Sequence, residues 1–141
     1  MNILISACLL GQYCRYDGQT KVYPQVQALL GRDDIHLIPV CPEQAGGLAT
    51  PRPAAERQGS RVVTANGSEV TAQYQRGAEA ALYWARLFHC TKAILKEKSP
   101  SCGHGQIYDG TFSRILTAGD GVTAELLRAE GLEIIGESDL P

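Results

Sequence analysis

The sequence predicts an α/β fold: a small three-layer, Rossmann-like arrangement around a mainly parallel sheet of four to five strands, with residues 1–141 forming one domain. Three observations predict it. Short apolar runs occur at 2–6, 35–40, 92–96 and 133–136. Stretches with helical apolar spacing separate them, most fully at 72–89. The chain has 141 residues, 44% hydrophobic and 20% charged, which suits one packed core and not comfortably two. Strands alternating with helices read as βαβ units, whose parallel sheet is covered on both faces.

Taken in order, residues 2–6 read as a buried strand, and 8–22, rich in Gly, Tyr, Asp and Lys, as a loop. Residues 23–31 suit a short helix: Pro24 fits its first turn, Val26, Leu29 and Leu30 share a face, and Gly31 can end it. Residues 35–40 form a second strand, disturbed near its end by Pro39. Three prolines and two glycines make 41–56 a rigid, folded-back loop. Residues 60–64 and 69–71 are expected to pair as a hairpin across Asn66-Gly67. In the helix at 72–89, Ala72, Tyr74, Ala78, Ala81, Leu82, Ala85, Leu87 and Phe88 form a broad apolar stripe. Residues 92–96 are the third strand, 97–120 a long loop, 121–130 a helix that Asp120 or Thr123 can cap, and 133–136 a last strand.

Thirteen basic and fifteen acidic side chains give a net charge of -2, with no block of five like charges. That balance argues against nucleic acid or a membrane surface as partner and leaves room for a local basic pocket. No apolar run approaches the ~18 residues of a membrane span. The start has no basic region ahead of its short apolar stretch, so a signal peptide is not expected and the protein is placed in the cytoplasm.

The five cysteines lie far apart, at 8, 14, 41, 90 and 102. In a reducing compartment such residues bind metal, catalyse or simply pack. Ligands of open α/β sheets bind at the carboxyl ends of the strands. Cys8 follows the first strand, Cys41 the second, and Cys102 comes six residues after the third, so three loops carry three thiols to one edge. Cys14 sits in the first of these loops and its role stays open; Cys90 precedes the third strand at the opposite edge, where a buried, inert thiol is expected. Three thiolates can hold a catalytic zinc or an iron–sulfur cluster with one open iron, and spacing alone does not choose between them.

Longer motifs narrow the choice. They are Ser6-Ala7-Cys8-Leu9-Leu10-Gly11 with Cys14-Arg15-Tyr16-Asp17-Gly18, Cys41-Pro42-Glu43 with Gly46-Gly47-Leu48 and Pro51-Arg52, and Lys96-Glu97-Lys98-Ser99-Pro100-Ser101-Cys102-Gly103 with Tyr108-Asp109-Gly110-Thr111-Phe112. In this order they resemble, over essentially the whole chain, a small bacterial family whose characterised branch is the thiouracil desulfurases. The resemblance implies a cytoplasmic enzyme with a 4Fe–4S cluster on Cys8, Cys41 and Cys102. It also implies non-redox removal of sulfur from a thiolated base such as 2-thiouracil, giving the oxo base and sulfide, with the open iron accepting the substrate sulfur.

Within that reading Glu43, two residues after a ligand, is the expected general base, and Ser101 the expected hydrogen-bonding catalytic residue. Arg15, Asp17 and Arg52 are the expected substrate-binding residues. His104 is left outside the site, and Tyr74, Trp84 and Phe88 are expected in the core. The rival readings are a zinc hydrolase on the same thiolates, a non-catalytic cluster-binding sensor and a metal-free cysteine nucleophile.

Overall fold

The computed structural model describes all 141 residues. Four strands form the main sheet: β1 (Asn2–Ser6), β2 (His36–Val40), β5 (Lys92–Leu95) and β8 (Glu133–Gly136). Their order is β2-β1-β5-β8, and every neighbouring pair is parallel. A parallel sheet buries both faces, so residues of either parity along its central strands are apolar. Leu4, Ala93 and Leu95 pack under the long helix α3 (Thr71–Leu87) and under α4 (Val122–Ala129), against Ala81, Ala85 and Leu127. Ile3, Ile5 and Ile94 face the other way, onto Leu9, Tyr23 and Val26 around α1 (Pro24–Leu30). This is the expected three-layer arrangement, with four strands in the sheet. Cys90 lies buried in the α3-side core. Of the three aromatic residues expected in the core, Tyr74 is there, while Trp84 and Phe88 are exposed on the outer side of α3 near its end.

Three segments differ from the sequence expectation. The folded-back segment 41–56 contains a helical turn, α2 (Pro42–Ala45), and the beginning of β3 (Ala55–Gln58). β3 pairs antiparallel with β4 (Arg61–Thr64) across Gly59, so the main partner of β4 lies before it rather than at 69–71. The Asn66-Gly67 turn does form, with Gly67 at φ +87, yet it closes only one bridge, Val63 to Glu69. The chain then enters α3 at Thr71, and helix formation on the apolar stripe takes the residues a longer hairpin would need. The long loop 97–120 likewise holds a hairpin, β6 (Gln106–Tyr108) with β7 (Leu116–Ala118). Both hairpins lie outside the main sheet. No helix is long and apolar enough to cross a membrane.

Candidate active site

The loops leaving β1, β2 and β5 meet at the carboxyl edge of the sheet, where a cavity of about 540 Å³ opens. Cys8, Cys14, Cys41 and Cys102 all line it, and Glu56, Tyr108 and Phe112 reach it from the two hairpins. Each thiol has a local reason for its place. Cys8 sits in a 3₁₀ turn (Ala7–Leu10) closed by Gly11 in the left-handed conformation, φ +92. Cys41 is the residue from which α2 starts, with Pro42 pre-set at the first helical position. Cys102 lies in a tight turn whose backbone N–H groups at Ser101 and Cys102 both donate to Ser99 Oγ, at 3.1 and 3.0 Å.

The position of α2 depends on two glycines. A Cβ on Gly77 of α3 would stand 1.9 Å from the Pro42 carbonyl oxygen, and one on Gly46 would stand 1.9 Å from the Gln73 carbonyl oxygen. The main chains of the two helices therefore touch, and this contact sets the turn that carries Cys41 and Glu43. Gly77→Ala is expected to cost about 1–3 kcal/mol by overpacking, because backbone rather than a flexible side chain must yield. The check is a thermal melt alongside iron content after reconstitution. Both should fall together, since α2 cannot move without Cys41.

Cys14 stands beside both Cys8 and Cys41, and the Cys41 thiol donates to the Cys14 carbonyl oxygen at 3.7 Å. The neighbouring Cys14 thiol lowers the pKa of Cys8, and lowers that of Cys41 to about 7, against the opposing effect of burial in both cases. Cys14 itself is pushed up by these two sulfurs and by burial. Burial also pushes Cys102 up, although a hydrogen bond with Ser6 works the other way. Lys96, held by Glu137 at 2.8 Å, adds a positive charge on the Cys8 side. No three His, Cys, Asp or Glu side chains converge on one point that could hold a single ion. Cys8 and Cys41 add negative charge that helps to raise the pKa of Cys102. Soft thiols brought by three loops to one cavity fit a cluster, whose ligands sit on different irons. A zinc site would need its sulfurs about 3.8 Å apart, as ~2.3 Å bonds in a tetrahedron require.

Glu43 projects from α2 into the cavity with its side chain 17% exposed. Its Oε1 accepts the Tyr74 hydroxyl at 2.6 Å and Arg52 Nε at 3.2 Å, while Oε2 takes no hydrogen bond from the protein. Tyr74 is fully buried, and burial followed by the Glu43 charge raises its pKa, so it remains a donor.

The other expected site residues divide. Arg15 lines the cavity and pairs with Asp17 at 3.0 Å, but Asp17 itself faces away, accepting Gln19 N–H. Arg52 lines the cavity and is also a strut: besides Glu43 it donates to the carbonyls of Ala49 and Cys14 and to Thr50 Oγ1. Most of its N–H groups are thereby committed to the protein, tying the Cys14 loop to α2. Ser101 is wholly buried and hydrogen-bonded to Thr123 Oγ1 at 2.9 Å, off the cavity wall. Ser99, from the same turn, does line the cavity, and its O–H has no protein acceptor. Its signal in the sequence was its place two residues ahead of Ser101, where a side chain caps the turn. Lys96, Tyr74 and Phe112 also reach the cavity without having been expected there. His104 stands near Asp139 and Arg128 and does not line it.

The profile of the 2-thiouracil desulfurase family matches residues 3–139. The chain belongs to that family. It is 51% identical to a solved structure, the [4Fe-4S]-dependent thiouracil desulfidase TudS, with a TM-score of 0.91 over 99% of this chain and 93% of that one. It is also 41% identical to the uncharacterized protein YbbK of Bacillus subtilis (strain 168), over 98% of this chain and 97% of the relative. The match to the family runs through every segment that walls the cavity.

Proposed function

We propose that the protein is a cytoplasmic, iron–sulfur cluster-dependent desulfurase that converts a thiolated nucleobase such as 2-thiouracil to the oxo base and sulfide, with residues 1–141 acting as one domain. The observation that carries this reading is a set of thiols and the Glu43 carboxylate lining one cavity, in a member of the 2-thiouracil desulfurase family. Its kinship with a desulfidase named for a [4Fe-4S] cluster supports the cofactor.

Cys8, Cys41 and Cys102 would hold the cluster, because each lines the cavity from a different loop at the carboxyl edge of the sheet. Cys14 is assigned the role of favouring the thiolate forms of Cys8 and Cys41, whose pKa values it lowers. When bound, the cluster supplies a Lewis acid that activates the carbon–sulfur bond. The chain's own residues do the rest. Glu43 Oε2, free of protein donors, takes the proton from the attacking water, and the Tyr74 and Arg52 bonds to Oε1 fix its orientation. The Ser99 hydroxyl donates a hydrogen bond to the substrate or the water; it replaces Ser101 in this role because Ser101 is sealed away. Arg15 remains a contact for the polar edge of the base at the cavity mouth.

The test is anaerobic reconstitution, iron and sulfide analysis, and an assay of sulfide release from 2-thiouracil. Cys102→Ser is expected to lose the cluster and all turnover, whereas Cys14→Ser keeps iron content near wild type with a less stable cluster. The reverse pattern would move the third ligand to Cys14, and a colourless protein holding zinc would overturn the cluster reading.

A further inference from the structure

Four residues other than glycine have positive φ, and three of them, Lys98, Phe112 and Arg114, line the cavity. Left-handed backbone at bulky residues is disfavoured and persists only where surrounding structure enforces it, most often at functional sites. For Phe112, at φ +58, the enforcing contacts are visible. Glu56 Oε1 accepts the backbone N–H of Gly110 at 3.0 Å and of Phe112 at 3.1 Å. Gln58 Nε2 donates to the Gly110 carbonyl at 2.8 Å. A Cβ on Gly110 would meet the Arg57 carbonyl oxygen at 2.9 Å, so the loop lies directly on β3. The β6–β7 loop is thus clipped to the other hairpin, and the two roof the cavity together. The result of this strain is an apolar ring that remains 36% exposed at the cavity mouth. Hydrophobic burial alone would have turned such a ring inward.

We infer that Phe112 is the platform on which the flat heteroaromatic ring of the substrate stacks, and that Glu56 is its positioning residue. This rests on the desulfurase reading. A flat ring needs a second support beyond the atom undergoing chemistry, or it can pivot about that atom and leave the water's line of attack. An aromatic face provides that support for any base, and the rigid clip means little ordering is needed on binding. Specificity for planar rings over open-chain thioamides follows.

The experiment uses the cluster-loaded protein, measuring kcat and KM for 2-thiouracil and, by calorimetry, Kd for uracil, which lacks the reacting sulfur. Phe112→Leu is expected to raise both KM and the uracil Kd about tenfold, the scale of one base–aromatic stack, with kcat changed much less. Phe112→Tyr should restore both. Glu56→Ala should reproduce the loss and speed hydrogen exchange at the Gly110 and Phe112 amides, whereas Glu56→Gln, which keeps an accepting oxygen, should do neither. Unchanged KM and Kd in Phe112→Leu would overturn the inference, as would a Glu56→Ala variant that exchanges rapidly yet binds uracil normally. A wild-type protein that releases no sulfide from 2-thiouracil would instead overturn the desulfurase reading, and the uracil titration would still decide the role of Phe112.

Discussion

Replacing Glu43 with glutamine is expected to reduce sulfide release from 2-thiouracil by about a hundredfold or more, with cluster content unchanged. The substitution keeps shape. Its amide oxygen can still accept from Tyr74 and Arg52, which both bond one oxygen of the carboxylate. What changes is the other position, which in the native protein is a carboxylate oxygen with no protein donor and in the variant becomes an NH₂ that cannot take a proton. Activating the leaving sulfur does nothing for the proton of the incoming water, so the loss belongs to kcat, and KM should move little. Single-turnover measurements on iron-matched samples are the check. Full activity would remove Glu43 as base, and loss of iron would mean that its bonds to Tyr74 and Arg52 serve only to hold the turn carrying Cys41.

The second large effect concerns stability. Lys96→Met is expected to cost about 3 kcal/mol in the metal-free protein, the lower end for breaking a buried pair, and to lower Tm by about 10 °C. Glu137 is the reason. Its side chain is 10% exposed, and Lys96 Nζ at 2.8 Å is its counter-ion. Without that charge a carboxylate is left in a poorly solvated place, with only the Glu97 N–H bonded to its other oxygen. Burial opposes the charge on Lys96, but the Glu137 hydrogen bond and charge outweigh it and raise the lysine pKa above its ordinary 10.5. A raised lysine pKa means that this stabilisation is complete below the ordinary value and fades only as pH climbs through the raised one. The effect should therefore be full at neutral pH. Lys96→Met combined with Glu137→Gln should recover much of the loss, and a double variant as unstable as the single one would show that the lysine stem, not its charge, matters.

The sheet was legible in the sequence because β1, β5 and β8 are apolar on both faces, a pattern that permits little else. The convergence of Cys8, Cys41 and Cys102 on one edge followed from parallel strands alone. The hairpins were harder. β3 is Ala55, Glu56, Arg57 and Gln58, a polar strand with no alternation, held by pairing with β4 and by what its side chains grip. The exchange of Ser101 for Ser99 on the cavity wall could not be read either, because it turns on which of two serines in one turn points inward. The bracing role of Arg52 was out of reach for a related reason: the carbonyls it grips are found only once they are located in space.

The close approach at Gly46 and Gly77 has a consequence for how this sequence can change. Where two elements meet through side chains, a substitution on one side can be offset by a smaller or reshaped partner on the other. At this joint the neighbours are the carbonyl oxygens of Gln73 and Pro42, atoms that every residue possesses alike. No replacement at 42 or 73 removes them. A selection for second-site suppressors of Gly77→Ala should therefore return true revertants and few compensated pairs, and libraries that vary the surrounding side chains freely should still keep glycine at both positions.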